Sequence, residues 1–184
     1  MEKEWILYCT GVVPAISSIV RKMTGIGDDI VVLAPVYNIF YNSILNNGRK
    51  VLASELRYAD GSYTIDYADL EEKLSRETTS LFIFCNPHNP IGKVWDRPTL
   101  ERIAELCIKH DVLVVSDEIH CDLTHIGHAY IPFASLSKEI ADRTISCIAP
   151  TKTFNIAGLQ TAAIVISNPE IRKQVDRGIN TDEV

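Results

Sequence analysis

The 184 residues carry 18 basic against 24 acidic side chains, a formal net charge of −6, so a phosphate-tracking surface for nucleic acid is not expected. With 46% apolar and 23% charged residues the usage is that of an ordinary globular domain, with enough apolar side chain for one core. No apolar run reaches the roughly 20 residues of a spanning helix, and Met1-Glu2-Lys3-Glu4-Trp5 has neither the basic start nor the apolar stretch of a secretory leader. The expectation is a cytoplasmic chain with no membrane partner.

In chain order, Ile16, Ile19, Val20 and Met23 share one face of a helix that Pro14 would start and Gly25 would stop. Short continuous apolar runs at 30–34 and 50–53 read as buried strands. Asp66 can cap a second helix with Tyr67, Leu70 and Leu74 inward. A strand follows at 81–85, then a helix with Leu100, Ile103, Ala104, Cys107 and Ile108 on one face. Further strands are expected at 112–116, 144–148 and 162–166. Apolar runs alternating with helical periods predict a three-layer α/β sandwich with a mostly parallel central sheet. Cys9, Cys85, Cys107, Cys121 and Cys147 are odd in number and form no close CxxC pair, so they read as small buried hydrophobes rather than a disulfide framework or zinc ribbon.

The polar residues of interest fall in turns that follow predicted strands: Pro35-Val36-Tyr37, Asn86 to Gly92, Asp117-Glu118-Ile119-His120 and Thr151-Lys152. In an open parallel sheet such turns line the edge where ligands bind, so four signals point to one cleft. Thr10-Gly11-Val12-Val13-Pro14 precedes an amphipathic helix, and its unpaired amides suit a phosphate as well as an ordinary helix start. Asn86-Pro87-His88-Asn89-Pro90-Ile91-Gly92 forces a fixed turn that either aims an amide side chain or is simply structural. Asp117 stands at the buried end of a strand, where an unpaired charge is costly, so it calls for a cationic partner unless it caps a helix.

Lys152, in Ala149-Pro150-Thr151-Lys152-Thr153-Phe154-Asn155, is expected in an apolar-flanked turn that desolvates the amine and favours Schiff-base chemistry. Lys138, in Ser135-Leu136-Ser137-Lys138, superficially matches both a Ser-x-x-Lys hydrolase motif and a cofactor-lysine motif, but it leads into a polar segment and reads as a surface helix start. His120, Cys121, Asp122, His125 and His128 crowd within nine residues, yet their spacing fits no closed zinc site, and His125 and His128 read as turn residues. No metal site is expected.

Taken in order, Thr10-Gly11-Val12-Val13-Pro14, Pro35-Val36-Tyr37, Asn86 to Trp95, Ser116-Asp117-Glu118-Ile119-His120 and Thr151-Lys152-Thr153-Phe154-Asn155-Ile156 resemble the fold-type I, pyridoxal-phosphate-dependent aminotransferase superfamily. Asp-Glu-Ile-His and Lys-Thr-Phe-Asn-Ile-Ala-Gly-Leu look like its cystathionine beta-lyase branch of MalY/PatB type; ordinary aminotransferases usually carry tyrosine at the position of His120. The resemblance implies pyridoxal 5'-phosphate as cofactor, with Lys152 as catalytic residue and Schiff-base lysine. It further implies that Asp117 pairs with the pyridine nitrogen, Tyr37 stacks on the ring and Asn89 reaches the phenolic oxygen near His120. The amides of Gly11, Val12 and Val13 would cradle the phosphate. Ala149 stands where many relatives have a phosphate-binding serine, which leaves Thr151 for that contact, and Gln160 stands where ordinary aminotransferases often have arginine.

The implied activity is carbon–sulfur β-lysis of an S-substituted cysteine to thiol, pyruvate and ammonia, in a homodimer. The alternatives are a class I/II aminotransferase and a non-catalytic cofactor-binding or regulatory protein. Residues 1–184 are expected to hold only the large cofactor-binding domain, without the N-terminal arm and the C-terminal small domain that supplies a carboxylate-gripping arginine in relatives. Neither Arg172 nor Arg177 is given that role.

Overall fold

The computed structural model describes all of residues 1–184. Its core is a seven-stranded sheet built from β1 (Ile6–Cys9), β2 (Asp29–Ala34), β3 (Lys50–Glu55), and four later strands. A separate hairpin, β4 (Arg57–Ala59) and β5 (Ser62–Thr64), precedes β6 (Thr79–Cys85), β7 (Leu113–Asp117), β8 (Thr144–Ile148) and β9 (Ala162–Val165). The strand order is β1-β9-β8-β7-β6-β2-β3. Strands β3, β2, β6, β7 and β8 run parallel, whereas β9 is antiparallel to both its neighbours. The 162–166 run, expected as one more parallel strand, is therefore reversed: it is reached from β8 by a short connection with no crossover helix to turn the chain round.

Six helices cover the two faces. On one lie α1 (Val12–Met23), α2 (Ile39–Leu45) and α6 (Pro169–Asp182); on the other lie α3 (Tyr67–Leu74), α4 (Arg97–Lys109) and the single-turn α5 (Lys138–Ala141). Period-two alternation divides each strand between two cores. Ile30, Val32, Leu81, Ile83 and Val115 join Ile16, Ile19 and Phe40 beneath α1 and α2. Val31, Leu33, Phe82, Phe84 and Val114 join Leu70, Leu100 and Ile103 beneath α3 and α4. Both faces of the central strands are thus buried, which is why their sequences are continuous apolar runs.

The helix ends follow local chemistry. Asp66 accepts from the Asp69 N–H (3.3 Å) and Asp96 from the Thr99 N–H (3.0 Å), each capping a helix. Helix α1 begins at Val12 rather than at Pro14, which occupies its third position: the first-turn N–H groups have no intrahelical acceptor, so proline costs nothing there. Lys138 opens α5, capped by Ser137, and pairs with Asp142 at 2.6 Å on the surface. Four of the five cysteines are buried and none is bridged. No helix is long and apolar enough to cross a membrane.

Candidate active site

The parallel strands end along one edge, and the chain reverses its direction of travel across the sheet there: β3 lies on one side of β2 and β6 on the other. A crevice opens at such a switch point because the connections leaving the two strands diverge. Tyr37 follows β2 and Asn89 follows β6, so these side chains stand on either side of the crevice. Strand β1, which the sequence reading omits, is antiparallel to β9 and hence parallel to β8. Its C-terminal end therefore lies on the same edge and delivers Gly11 and the first turn of α1.

All nine residues singled out from the sequence line one cavity of about 440 Å³: Gly11, Val12 and Val13 from the start of α1, Tyr37 and Asn89 from the flanking turns, Asp117 and His120 after β7, and Thr151 and Lys152 after β8. That volume suits a small-molecule ligand. Gln160 and Thr161 complete the wall beside Lys152, and Ala149 is also present.

Within the Asn-Pro segment the two amides divide the work. Asn86 is fully buried; its Oδ1 accepts from the Trp95 N–H (3.2 Å) and its Nδ2 donates to the Ile131 carbonyl (3.4 Å). It holds the turn, leaving Asn89 to face the cavity. His88, 1% exposed, lies 3.0 Å through Nε2 from the Pro35 carbonyl, tying this turn to the one that carries Tyr37. Burial pushes the His88 pKa down, so the ring is neutral and Nε2 carries the donated hydrogen. Tyr37 is braced edge-on against Phe40, with ring centroids 5.8 Å apart.

Asp117 is 4% exposed, and its carboxylate receives a single hydrogen bond, from the Ile119 N–H at 3.1 Å. The expected cationic side-chain partner is not there: Asp117 takes part in no ion pair, and Lys152 exerts only a through-space attraction on it. Burial therefore dominates, and the neighbouring charge of Glu118 adds to it, raising the Asp117 pKa to about 7. Burial, followed by the charge of Lys152, pushes the half-buried His120 down.

Lys152 differs from expectation. The residues flanking it do not enclose the amine: Phe154 and Leu159 are themselves 68% and 69% exposed, and Lys152 stands exposed at the cavity rim with no ion-pair partner. The 150–156 turn is held instead by its own backbone, Phe154 N–H to the Pro150 carbonyl and Ile156 N–H to the Thr151 carbonyl (both 3.0 Å), and by Thr153 Oγ1 donating to Asp122 (2.9 Å). No group of three or more His, Cys, Asp or Glu side chains is arranged to hold a metal ion, so the cluster at 120–128 is a loop of separate side chains. Arg172 donates to the Ile166 and Ser167 carbonyls, which fastens α6 to the end of β9, and Arg177 is exposed on α6; neither lines the cavity.

The cavity thus offers a free amine, a buried carboxyl poised near neutral pH and the unpaired amides of a helix start. A ligand bearing a protonatable base, an electrophilic carbon and an anionic group matches all three. Fold and site together define a doubly wound α/β domain with a ligand cavity at the carboxyl edge of its parallel strands. The chain belongs to the aminotransferase class I and II family, whose model matches residues 1–181. It is 53% identical over 163 residues to cystathionine beta-lyase PatB of Bacillus subtilis, covering 89% of this chain and 42% of that protein. It is 31% identical over 172 residues to protein MalY of Escherichia coli, covering 94% and 43%. Cystalysin from Treponema denticola, whose crystal structure contains a pyridoxal 5'-phosphate cofactor, superposes with a TM-score of 0.97 at 40% identity, covering 98% of this chain and 46% of that one. The chain spans less than half the length of these curated relatives.

Proposed function

We propose that residues 1–184 form the cofactor-binding large domain of a pyridoxal-phosphate-dependent carbon–sulfur β-lyase. It acts on S-substituted cysteines and releases thiol, pyruvate and ammonia. The observation that carries this reading is the convergence of Lys152, the buried and nearly unpartnered Asp117 carboxyl and the first-turn amides of α1 in one cavity. These residues fit the cofactor: a buried carboxyl lacking a cation suits a pyridinium, and a helix start whose third residue is proline suits a phosphate. When bound, the cofactor supplies an electron-accepting ring that makes the substrate's α-proton removable.

In this reading Lys152 would hold the cofactor through Nζ, and the same amine would take and return the substrate's α-proton. Asp117 holds a proton on the ring nitrogen. Bringing a cation to this carboxyl compensates the burial that raises its pKa to about 7, so it binds ionised. Gly11, Val12 and Val13 donate backbone N–H groups, and Thr151 its hydroxyl, to the phosphate. Tyr37 and Asn89, which both line the cavity, would hold the cofactor's ring, the first by packing and the second by an amide hydrogen bond. His120, neutral at pH 7, is available at the same edge to accept or pass a proton.

The second reading, an aminotransferase, is supported by the description of the matching family. Exposed Tyr8, Phe154 and Leu159 support self-association as a homodimer. Five unbridged cysteines suit a reducing cytoplasm.

The deciding experiment is borohydride reduction of the chain with pyridoxal phosphate, followed by peptide mass spectrometry and then assays for thiol and pyruvate. A single adduct on Lys152 is expected. An adduct on Lys138, or none, overturns the cofactor reading. Amino transfer that depends on a keto acid, without thiol release, overturns the lyase in favour of the aminotransferase.

A further inference from the structure

A second cleft of about 520 Å³ shares Asn89 and His120 with the cavity of Lys152, so the two are consecutive chambers along the same sheet edge. Its walls come from three places: the β4–β5 hairpin with Ser62 and Tyr63, the turn after β6 with Lys93, and the loop after β7 with His125 and His128. Its charge is unlike that of the molecule. In a chain of net charge −6, the 16 residues lining this cleft include one lysine and four histidines and not one carboxylate.

Lys93 is fixed by uncharged partners, and the carboxylate that feels its charge, Asp96, is outside the lining of the cleft. Its Nζ donates to Ser62 Oγ (3.2 Å) and to the Tyr63 carbonyl, and lies 5.1 Å from the centroid of the Trp95 ring. All three partners are uncharged, and Lys93 belongs to no ion pair. Asp122, the acid nearest in sequence to the histidine loop, is engaged by Thr153 and does not line the cleft. The charge of the lining is that of Lys93, since burial holds His88 and His120 neutral, and a cation set in a recess attracts an anion more strongly than one on a flat surface does.

We infer that this second cleft receives the substituent on the substrate's sulfur and selects substituents that carry a carboxylate. The inference rests on the reading that the amino-acid end of the substrate lies at Lys152. Lys93 is then the fixed cation that meets the distal carboxylate, and His125 and His128, both exposed at the rim, are the donors that close around it. A substituent ending in an ammonium would be repelled, and a neutral one would gain only contact area.

The test compares S-carboxymethyl-L-cysteine with S-carbamoylmethyl-L-cysteine, which match in shape and differ in charge, titrated into the 184-residue chain. Histidine-ring and amide NMR shifts report weak binding and locate it. Expected are shifts at His125 and His128 and about fivefold tighter binding of the carboxymethyl compound, a preference that shrinks as salt is added. Lys93→Gln should bring the affinity ratio close to one. Since Lys93 also holds the hairpin, His125→Glu, on an exposed loop residue, is the second variant and should do the same. Equal affinities in the unsubstituted chain, absence of binding, shifts outside the cleft, or a ratio that survives both substitutions would overturn the inference. Borohydride trapping on Lys152, measured in parallel, separates the two failures. An adduct with no charge preference removes the anion-selective cleft alone, whereas a preference without an adduct removes the cofactor reading and, with it, the assignment of this cleft to the sulfur substituent, leaving only an anion-binding cleft.

Discussion

Asp117 and Glu118 are consecutive carboxylates at the end of β7, 4% and 3% exposed, and the pleat sends them to opposite faces of the sheet. On the face away from the cavity, Glu118 is fully engaged: Ser116 Oγ (2.8 Å) and the Phe133 N–H (3.1 Å) donate to Oε1, and the Tyr130 hydroxyl donates to Oε2. It pins the 130–133 segment over the core. On the cavity face Asp117 has one backbone donor. Equal burial therefore carries opposite meanings. A saturated carboxylate maintains the fold, whereas an unsaturated one in a cavity awaits a ligand.

Removing the saturated carboxylate should have the largest effect on stability. Glu118→Ala leaves the Tyr130 hydroxyl and the Phe133 N–H without acceptors, and should lower unfolding free energy by about 3 kcal/mol; urea denaturation reads it. A neutral result would break the contrast, since Glu118 would then be no more committed than its neighbour.

Asp117→Asn keeps the shape and should cost no stability, while weakening retention of pyridoxal phosphate at least about tenfold, measured by absorbance after dialysis. Its pH dependence sharpens the point. With its folded pKa raised to about 7 from an ordinary 3.8, Asp117 still holds its proton in the folded chain between those values while the unfolded chain has lost it. Stability from this group is therefore greatest below about pH 4 and declines as pH rises through about 7. Asp117→Asn should consequently gain on the unsubstituted chain across that window, and denaturant midpoints at pH 5 and pH 8 show whether it does. A constant difference would mean that Asp117 titrates normally.

A carboxylate whose work is only local calibrates the scale. Asp96→Ala removes the cap of α4 and should cost about 1 kcal/mol, with the Lys152 adduct unchanged. The smallest effect is expected at Lys138, whose side chain is 89% exposed and whose i,i+4 pair with Asp142 is a surface contact. Lys138→Ala should move neither the urea midpoint nor the adduct.

The central strands were legible because both their faces are buried: the 144–148 run coincides with β8, and 81–85 and 112–116 match β6 and β7 to within two residues. Strand β1 was not, because Ile-Leu-Tyr-Cys is four residues long with Ile6 and Tyr8 exposed on an edge. Helix α2 also escaped, having seven residues and no side-chain cap. The β4–β5 hairpin did leave a signal, Asp60-Gly61, both at positive φ between two tyrosine-bearing strands, which is the preferred two-residue turn. Overlooking it hid one wall of the second cleft. His125 and His128 are turn residues as read, and they also line that cleft.

By itself the sequence determined the layer architecture and the strand-end turns that meet at the Lys152 cavity, because apolar periodicity and turn motifs are local properties of the chain, while the individual residues within those turns were singled out by the family resemblance. The reversed β9, the delivery of α1 to the ligand edge by β1, the exposure of Lys152 and the opposite fates of Asp117 and Glu118 were decided only by the tertiary structure. Strand direction, burial and hydrogen-bond saturation depend on which distant segments pack together, and adjacent residues with the same chemistry carry no record of that.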